Sequence, residues 1–274
     1  MQGQIIKILS NDYFVSCDNV TYVCKSRGKF RKDNITPLVG DYVIFDIEQK
    51  YILDVLPRKN SLVRPSVSNI DQAIVMTSLK KPNLDLVLLD RLLVTLNDNK
   101  VDAIICFSKK DLLSHSELKE VKKIKNYYSS IGYIVLFNDK LRKIKKLLKN
   151  KTTVFTGQTG SGKSSLINKL NPNLNFDTGE ISEALGRGKH TTRHTELVEM
   201  YGGKVLDTPG FSDVDLSKIK DLKNCFIEFK KYKCPYNDCE HINEKDCEIK
   251  RQVELGNILL SRYENYKKLK ESRW

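Results

Sequence analysis

A glycine-rich stretch in the middle of the chain constrains its fold more than any other feature. It fits the pattern G-x-x-x-x-G-K-[ST], in which backbone N–H groups cradle phosphates at the start of a helix. A strand pattern at residues 152–156 precedes it, and a helix pattern at residues 165–170 follows it. With the next serine, its residues are Gly157, Gln158, Thr159, Gly160, Ser161, Gly162, Lys163, Ser164 and Ser165. Lys163 is predicted to reach the β- and γ-phosphates of a nucleotide, and the Ser164 hydroxyl to bind Mg²⁺.

The charge of the chain bears on its partners. The 47 Lys and Arg residues against 34 Asp and Glu leave a net charge of +13, which favours a polyanionic partner. The alternative is a lysine-rich surface that is merely solvated. The sequence shows no secretory signal and no apolar stretch of the ~18 residues that span a membrane, so we expect a cytoplasmic protein without a membrane partner.

The first 62 residues are predicted to form an OB-like β-barrel that binds RNA. Five short runs rich in β-branched and aromatic residues are separated by Asn, Asp and Gly, at residues 4–9, 13–17, 21–24, 41–46 and 51–56. The segment 25–32 carries five cations and Phe30. It is interpreted either as a site for RNA phosphates and one stacked base, or as a solvated loop.

Strands then alternate with helices, which predicts an α/β domain with a parallel sheet over residues 63–213. Residues 57–65, bracketed by two prolines, are interpreted as the linker into this domain. Predicted strands cover 72–77, 101–107 and 133–137, and predicted helices cover 84–96 and 116–128. In such a sheet, ligands bind at the carboxyl ends of the strands.

Four residues after the second of these strands point to the base of the nucleotide. The run Ser108, Lys109, Lys110 and Asp111 resembles the guanine-reading motif Asn-Lys-x-Asp, with serine in the asparagine position. Asp111 would accept from guanine N1–H and N2–H₂ while the stem of Lys109 covers the ring. Alternatively, Asp111 caps the next helix. Serine is expected to lose the amide that braces this loop against the phosphate-binding loop, and so to weaken guanine binding.

A second motif lies downstream, where a short apolar strand ends in Asp207-x-x-Gly210. Asp207 is predicted to hold Mg²⁺ through a water, and the Gly210 N–H to contact the γ-phosphate. Together with the glycine-rich loop, this motif indicates nucleoside triphosphate hydrolysis by a switch mechanism.

Three cysteines and a histidine lie within fourteen residues near the C-terminus. Cys234, Cys239, His241 and Cys247 provide four ligands for one tetrahedral, structural Zn²⁺. Apolar residues at helical spacing over 253–269 predict one amphipathic helix that packs on the zinc unit. Residues 214–274 are therefore predicted to be a zinc-binding helical domain. The other cysteines, in apolar settings, are interpreted as core thiols: Cys17, Cys24, Cys106 and Cys225.

The order of these motifs is permuted. In a conventional GTPase the base-reading motif follows the phosphate-binding loop, whereas here it precedes that loop by about fifty residues. The order SKKD, GQTGSGKS, GRGKHTT, DTPG resembles the circularly permuted GTPases. The strand-rich N-terminus and the Cys/His cluster narrow the resemblance to the ribosome small subunit-dependent GTPase A family (RsgA, also called YjeQ).

The resemblance implies a cytosolic GTPase that uses GTP/GDP, Mg²⁺ and one Zn²⁺. It further implies that the small ribosomal subunit and its rRNA stimulate hydrolysis, and that the protein acts in late maturation of the small (30S) subunit. We expect a monomer. The barrel and the zinc domain would grip rRNA while the middle domain times release.

The residue that activates water is not the glutamine found in many GTPases, because Phe211 stands in that position. The segment 186–194 is the expected first switch, in which Thr191 or Thr192 would complete the Mg²⁺ shell. His190 is similar in position to the histidine proposed as catalytic in the family, and ribosome docking would swing it toward the water. The alternative is a polybasic loop that only touches rRNA phosphates.

Two other functions are open on the sequence alone. One is an ATP-using P-loop enzyme such as a small kinase, against which the motifs at Asp111 and Asp207 argue. The other is an RNA-binding protein in which the nucleotide is a structural ligand.

Overall fold

The computed structural model describes residues 1–28, 30, 35–63, 66–172, 195–207, 216, 219 and 221–271, with only the backbone of Asp207. They fall into two compact units. The first comprises Met1–Ile74, Lys140–Thr156 and Gly162–Phe211, and the second comprises Val75–Asp139, Gly157–Ser161 and Ser212–Trp274. The strands are β1 (Gln2–Leu9), β2 (Asp12–Cys17), β3 (Val20–Ser26), β4 (Tyr42–Asp46), β5 (Tyr51–Val55), β6 (Ser61–Leu62), β7 (Val67–Ser68), β8 (Gln72–Ser78), β9 (Asp102–Ser108), β10 (Ile134–Phe137), β11 (Thr152–Gly157), β12 (Glu196–Met200) and β13 (Gly203–Asp207). The helices are α1 (Leu86–Asp98), α2 (His115–Ser130), α3 (Leu141–Leu148), α4 (Lys163–Leu170), α5 (Leu222–Cys225), α6 (Glu248–Glu254) and α7 (Leu260–Glu271).

The first five strands close into a barrel, which confirms the predicted OB-like domain. They pair in the order β1-β2-β3-β5-β4, and β4 pairs back onto β1 to complete the ring. All pairs are antiparallel except β3–β5. Inward side chains alternate along the strands, so that Ile5, Val15, Phe45 and Ile52 are fully buried in one core.

Phe30 belongs to this barrel core. Its side chain is only 3 % exposed, so the prediction that it stacks on a base is wrong. Burying a phenylalanine contributes roughly 1.5–3 kcal/mol, which favours the core over a solvent-facing loop position. Of the neighbouring cations, Lys25 pairs with Asp12 at 2.6 Å and Arg27 donates to Gln49 at 3.1 Å. Lys29, Arg31 and Lys32 lie outside the described residues.

The barrel continues into the rest of the first unit through one strand pair. β1 pairs antiparallel with β12, β12 with β13, and β13 runs parallel to β11. At the single paired position between β1 and β12, the Lys7 ammonium donates to the Glu196 carboxylate at 2.7 Å. Lys204 of β13 donates to the Gln4 side chain at 2.5 Å. β12 and β13, which follow the predicted first switch (residues 186–194) and lead to the Asp207-x-x-Gly210 motif, are thereby hydrogen-bonded to the barrel.

The segment predicted to be a linker is also fixed to the barrel. Arg58 binds the fully buried Asp41 carboxylate with two hydrogen bonds, both 2.7 Å. The Ser68 hydroxyl donates to the same carboxylate at 2.6 Å. Because a paired buried charge is costly to expose, these contacts hold Arg58 and Ser68 against Asp41.

The second unit contains a buried sheet in the order β10-β9-β8, with β9 and β10 parallel. The seven residues of β8 are all buried, as expected of a strand covered on both faces. Its helices begin at hydrogen-bonded caps, Asp85 for α1 and Ser114 for α2. The predicted alternation of strands and helices is confirmed, with bounds within two residues.

A buried ionic cluster joins the C-terminal helix α7 to this unit. Arg262, only 1 % exposed, makes two hydrogen bonds to Glu228 (2.7 and 2.8 Å) and one to Asp90 (2.5 Å). Tyr128 and Asn265 each donate to Asp90 at 2.6 Å. Burial alone would lower the pKa of Arg262, but the two adjacent carboxylates raise it well above its usual value.

The prediction of a single amphipathic helix over residues 253–269 is wrong. The chain forms α6 and α7 instead, separated by Gly256, whose φ of +75° is left-handed and ends α6. Leu255 lies at the break and is 59 % exposed, although it fits the apolar pattern. Within the described ranges, none of the helices combines the length and apolarity needed to cross a bilayer.

Candidate nucleotide site and cysteine–histidine cluster

The glycine-rich loop connects β11 to α4 and contains three glycines with positive φ, Gly157 (+130°), Gly160 (+73°) and Gly162 (+88°). Gly157 is the most constrained of them. A Cβ built there would lie 2.0 Å from the carbonyl oxygen of Met76, so no other residue fits. The sequence pattern is thus matched by backbone geometry that requires glycine.

Among the described residues, the other side of the loop is open. A Cβ on Gly162 would meet nothing within 4 Å, and one on Gly160 would meet only Pro82 at 3.6 Å. Lys163 and Ser164 open α4 and are partly buried, whereas Ser165 is exposed. Burial lowers the pKa of Lys163 to about 8, and an anionic phosphate beside it would favour the charged form. The loop therefore has the room and the donors that a phosphate requires.

The predicted base-reading motif is hydrogen-bonded to the glycine-rich loop. The Ser108 hydroxyl, at the end of β9, donates to the Ser161 carbonyl at 2.7 Å, and both residues are buried. The expectation that serine loses the brace to the phosphate-binding loop is therefore wrong, because the hydroxyl is long enough to make the contact itself. Among the described residues, the Ser161 hydroxyl has no hydrogen-bond partner.

The rest of the motif forms a turn at the end of β9. Lys109 has a left-handed backbone (φ +58°) and donates to the Lys81 carbonyl. Lys110 pairs with Asp139 at 2.5 Å. Asp111 is exposed within a short 3₁₀ turn. It does not cap the next helix, because Ser114 has that role.

The second motif begins at the end of β13. β13 pairs in parallel with β11, Leu206 opposite Val154, so Asp207 and the start of the phosphate-binding loop lie at the same edge of the sheet. Gln158 and Thr159 continue that loop, and Ser161 donates its N–H to the Gln158 carbonyl at 3.1 Å. The remaining predicted residues lie outside the described part: the side chain of Asp207, Gly210, Phe211, His190, Thr191 and Thr192.

The four predicted zinc ligands meet in the second unit. The ligand atoms of Cys234, Cys239, His241 and Cys247 all lie within 4.8 Å of one another. His241 Nδ1 is 3.5, 3.3 and 3.4 Å from the three sulfurs, in chain order. Tetrahedral Zn²⁺ with bonds of ~2.0–2.3 Å would separate its ligand atoms by roughly 3.5–3.8 Å. The donor set and its spacing fit a closed zinc site.

Several groups hold the loop that carries these residues, and the sequence analysis missed them. Tyr263 donates to the His241 carbonyl and Tyr266 to the Glu240 carbonyl, both at 2.7 Å. The Glu244 carboxylate accepts from the Glu240 and Ile242 N–H groups at 2.7 and 2.9 Å. The spacing of Tyr263 and Tyr266 indicated only that they lie on a buried helix face. A buried tyrosine hydroxyl usually has a hydrogen-bond partner, and this rule was the signal that could have predicted these two contacts.

Gly157→Ala is expected to reduce nucleotide affinity at least tenfold. The substitution strains a residue at φ +130° and overlaps the Met76 carbonyl, and backbone strain alone costs about 1–3 kcal/mol. Titration with a fluorescent guanine nucleotide measures the effect. Gly28→Ala is the control, because its Cβ would meet nothing within 4 Å. Equal affinities of the two variants would contradict the prediction.

Comparison with known proteins agrees with this geometry. The model of the RsgA GTPase family matches residues 55–217, and that of the RsgA N-terminal domain matches residues 2–51. The chain is 45 % identical over 276 residues to the small ribosomal subunit biogenesis GTPase RsgA of Enterococcus faecalis, covering 97 % of this chain and 93 % of that protein. It is 46 % identical to RsgA 2 of Listeria monocytogenes, with 97 % and 95 % covered.

Solved structures show the same fold. YloQ, described as a circularly permuted GTPase, superposes with a TM-score of 0.83 at 35 % identity, covering 99 % of this chain and 94 % of that one. YjeQ from Thermotoga maritima gives a TM-score of 0.84 at 32 % identity, with 99 % and 98 % covered. The chain has the fold of a circularly permuted GTPase with an N-terminal barrel, and it belongs to the RsgA GTPase family.

Proposed function

We propose that this GTPase acts in biogenesis of the small ribosomal subunit, in the cytoplasm, and that binding to the subunit and its rRNA stimulates hydrolysis. The observation that carries the proposal is the hydrogen bond from Ser108 to Ser161, since it joins a base-reading motif to a phosphate-binding loop. The curated relatives from Enterococcus and Listeria are named for small-subunit biogenesis. The net charge of +13 suits a ribonucleoprotein partner.

In this proposal each predicted residue keeps the role that its motif implies. Residues 157–165 hold the phosphates, with Lys163 on the β- and γ-oxygens, and residues 108–111 select guanine through Asp111. Ser164 and Asp207 are the groups that would hold Mg²⁺, which when bound neutralises charge that develops on the phosphates. Thr191 or Thr192 and the Gly210 N–H would sense the γ-phosphate, and His190 would orient the attacking water.

We also propose one structural Zn²⁺ on Cys234, Cys239, His241 and Cys247. The fit of the donor atoms to a tetrahedron supports this, since the spacing between sulfur and nitrogen is 3.3–3.5 Å. The division into residues 1–62, 63–213 and 214–274 stays a proposal; the family matches support a separate N-terminal domain but separate earlier, between residues 51 and 55. A monomer is proposed as the working state.

Hydrolysis of GTP and ATP, each with and without purified small subunits, tests this function. We expect GTP to be preferred by on the order of 10–10², the contribution of hydrogen bonds to a charged group, because adenine lacks the donor pair that the exposed Asp111 accepts from guanine. We expect His190→Ala to bind GTP normally and to lose stimulated turnover by about 10²–10⁴, the usual contribution of a group that acts on the nucleophile. Gly157→Ala controls for loss of binding.

Three outcomes would contradict parts of the proposal. Equal use of ATP would favour an ATP-dependent P-loop enzyme. GTP that is bound but never turned over, even with subunits, would favour an RNA-binding protein with a structural nucleotide. Full stimulation of His190→Ala would exclude His190 as the group that acts on water.

A further inference from the structure

The first unit carries a cationic surface that the proposed nucleotide site does not use. Seven of the twelve residues from 140 to 151 are cations and none is acidic: Lys140, Arg142, Lys143, Lys145, Lys146, Lys149 and Lys151. Ile144 and Leu148 turn the apolar face of α3 inward and are fully buried. All of these cations except Lys145 are exposed. We call these seven residues the α3 cationic face.

No ion pair neutralises this face within the described part of the chain, although the Asp71 carboxylate lies close enough to Lys151 to feel its charge. Over the described ranges, no carboxylate oxygen lies within 4 Å of any of the seven cations. α2 differs, because Lys123 pairs with Glu120 at 2.8 Å and Glu117 pairs with Lys80 at 2.9 Å. Concentrated, unpaired cations favour an anionic partner that itself carries regularly spaced charges.

A cavity of about 550 Å³ lies beside the face, within the same unit. Its lining includes Tyr42, Asp71, Lys151, Glu199, Tyr201 and Lys204. The two tyrosines are 43 % and 40 % exposed. Tyr201 is held in place, because its hydroxyl donates to the Leu170 carbonyl and the Lys145 ammonium lies 4.6 Å from its ring centre. The cavity thus offers a fixed aromatic ring beside the cations.

The chemistry of the cavity suits a nucleobase better than a phosphate. The Asp71 carboxylate already accepts hydrogen bonds from the Lys59 ammonium at 2.9 Å and the Thr152 N–H at 2.7 Å. The Glu199 carboxylate is exposed to solvent and is the one that a ligand can reach. A carboxylate repels phosphate but accepts hydrogen bonds from the amino group of cytosine. Aromatic rings add base stacking, which is how single-stranded RNA is bound.

Other partners fit less well. A bilayer would need apolar side chains to insert, and the apolar face of α3 is already buried in the protein. An acidic protein would account for the cations but not for the tyrosine-lined cavity. The cavity lies at the amino ends of β11 and β13, and the phosphate-binding loop follows the other end of β11, about 17 Å away at ~3.3 Å per residue.

We propose that the α3 cationic face and the adjoining cavity form a binding site for single-stranded RNA, with phosphates on the lysines and one base in the cavity. The site is separate from the nucleotide site, so GTP and RNA bind together. The inference rests on the proposed function only in that an unpaired segment of subunit RNA is its natural source.

Binding of fluorescein-labelled C12 RNA to the full-length protein, followed by anisotropy over a salt titration, tests the site. Lys143→Glu/Lys146→Glu is expected to weaken binding at least tenfold and to make the slope of log affinity against log salt shallower by about 1.4, at ~0.7 per phosphate. Lys119→Glu/Lys122→Glu on α2 makes the same change of charge and is expected to stay within about twofold. Glu199→Leu, which has no acceptor for the cytosine amino group, is expected to abolish a preference of about tenfold for C12 over U12.

Two results would overturn the inference. One is equal RNA affinity of the α3 and α2 variants. The other is a wild-type protein that does not bind RNA, together with an α3 variant that co-sediments less with small subunits than the wild type does. This result would indicate that a ribosomal protein is the partner. Subunit-stimulated GTP hydrolysis is measured on the wild type in parallel. Its absence would refute the proposed function whatever the RNA result, and its presence with unchanged RNA affinity would refute only the inference.

Discussion

Arg262→Met is expected to lower the free energy of unfolding by about 3–5 kcal/mol. The substitution keeps most of the apolar stem but removes the cation that satisfies two carboxylates, Glu228 and Asp90, each at most 1 % exposed. Both carboxylates would remain buried without their main partner. Urea unfolding followed by circular dichroism measures the loss.

Arg251→Met is the matched control. Arg251 also makes a two-bond pair, with Glu248 at 2.9 and 3.0 Å, but its side chain is 65 % exposed. Water screens that pair, so we expect little change in stability. Similar losses in the two variants would show that burial does not determine the effect.

Removing all the charges should restore part of the stability. A triple variant, Arg262→Met with Glu228→Met and Asp90→Leu, leaves no uncompensated ion and is expected to be more stable than Arg262→Met alone. A triple variant less stable than the single one would indicate that hydrogen bonds from Tyr128 and Asn265 to Asp90 dominate the cluster.

Cys239→Ser is expected to reduce bound zinc from one ion per chain to nearly none and to lower the melting temperature by on the order of 10 °C. Structural zinc contributes about 10–16 kcal/mol to isolated zinc-finger peptides, and a part of that is expected here. Without Zn²⁺, nothing binds the remaining three ligand side chains to one another, so the loop that carries them is less stable. Elemental analysis and thermal unfolding measure the two effects, and a chelator should reproduce the second.

Cys225→Ser provides the control for this prediction. Cys225 is buried in the same unit, and its thiol donates to the Asp221 carbonyl at 3.3 Å, a contact that serine retains. Zinc content should stay at one ion per chain. A wild-type protein without zinc, or a Cys239→Ser variant that retains it, would contradict the assignment.

Sequence patterns predicted the glycine-rich loop, the barrel strands and the zinc ligands, because in each of these the structure depends on residues that are close together in the sequence. The glycines at 157, 160 and 162 require positive φ, and the alternating strands of the barrel required only period-two burial. The zinc ligands were predicted because four donors within fourteen residues leave few other structures.

Contacts between distant segments were not predictable in this way. The Ser108–Ser161 hydrogen bond spans 53 residues, and the Arg262–Asp90 contact spans 172. The five cations around Phe30 predicted that it stacks on an RNA base or lies in a solvated loop, although the barrel core contains it. The break at Gly256 was missed because apolar spacing continues across it, while the left-handed glycine ends the helix.

The strand pair between β1 and β12 limits how the protein can be dissected. A fragment that begins after the barrel would leave the outer edge of β12 with bare N–H and C=O groups, and Glu196 without its lysine. Exposed edges of this kind recruit other strands, so such a fragment would tend to aggregate. Truncation experiments on this protein should therefore retain residues 2–9 or replace them with another capping strand.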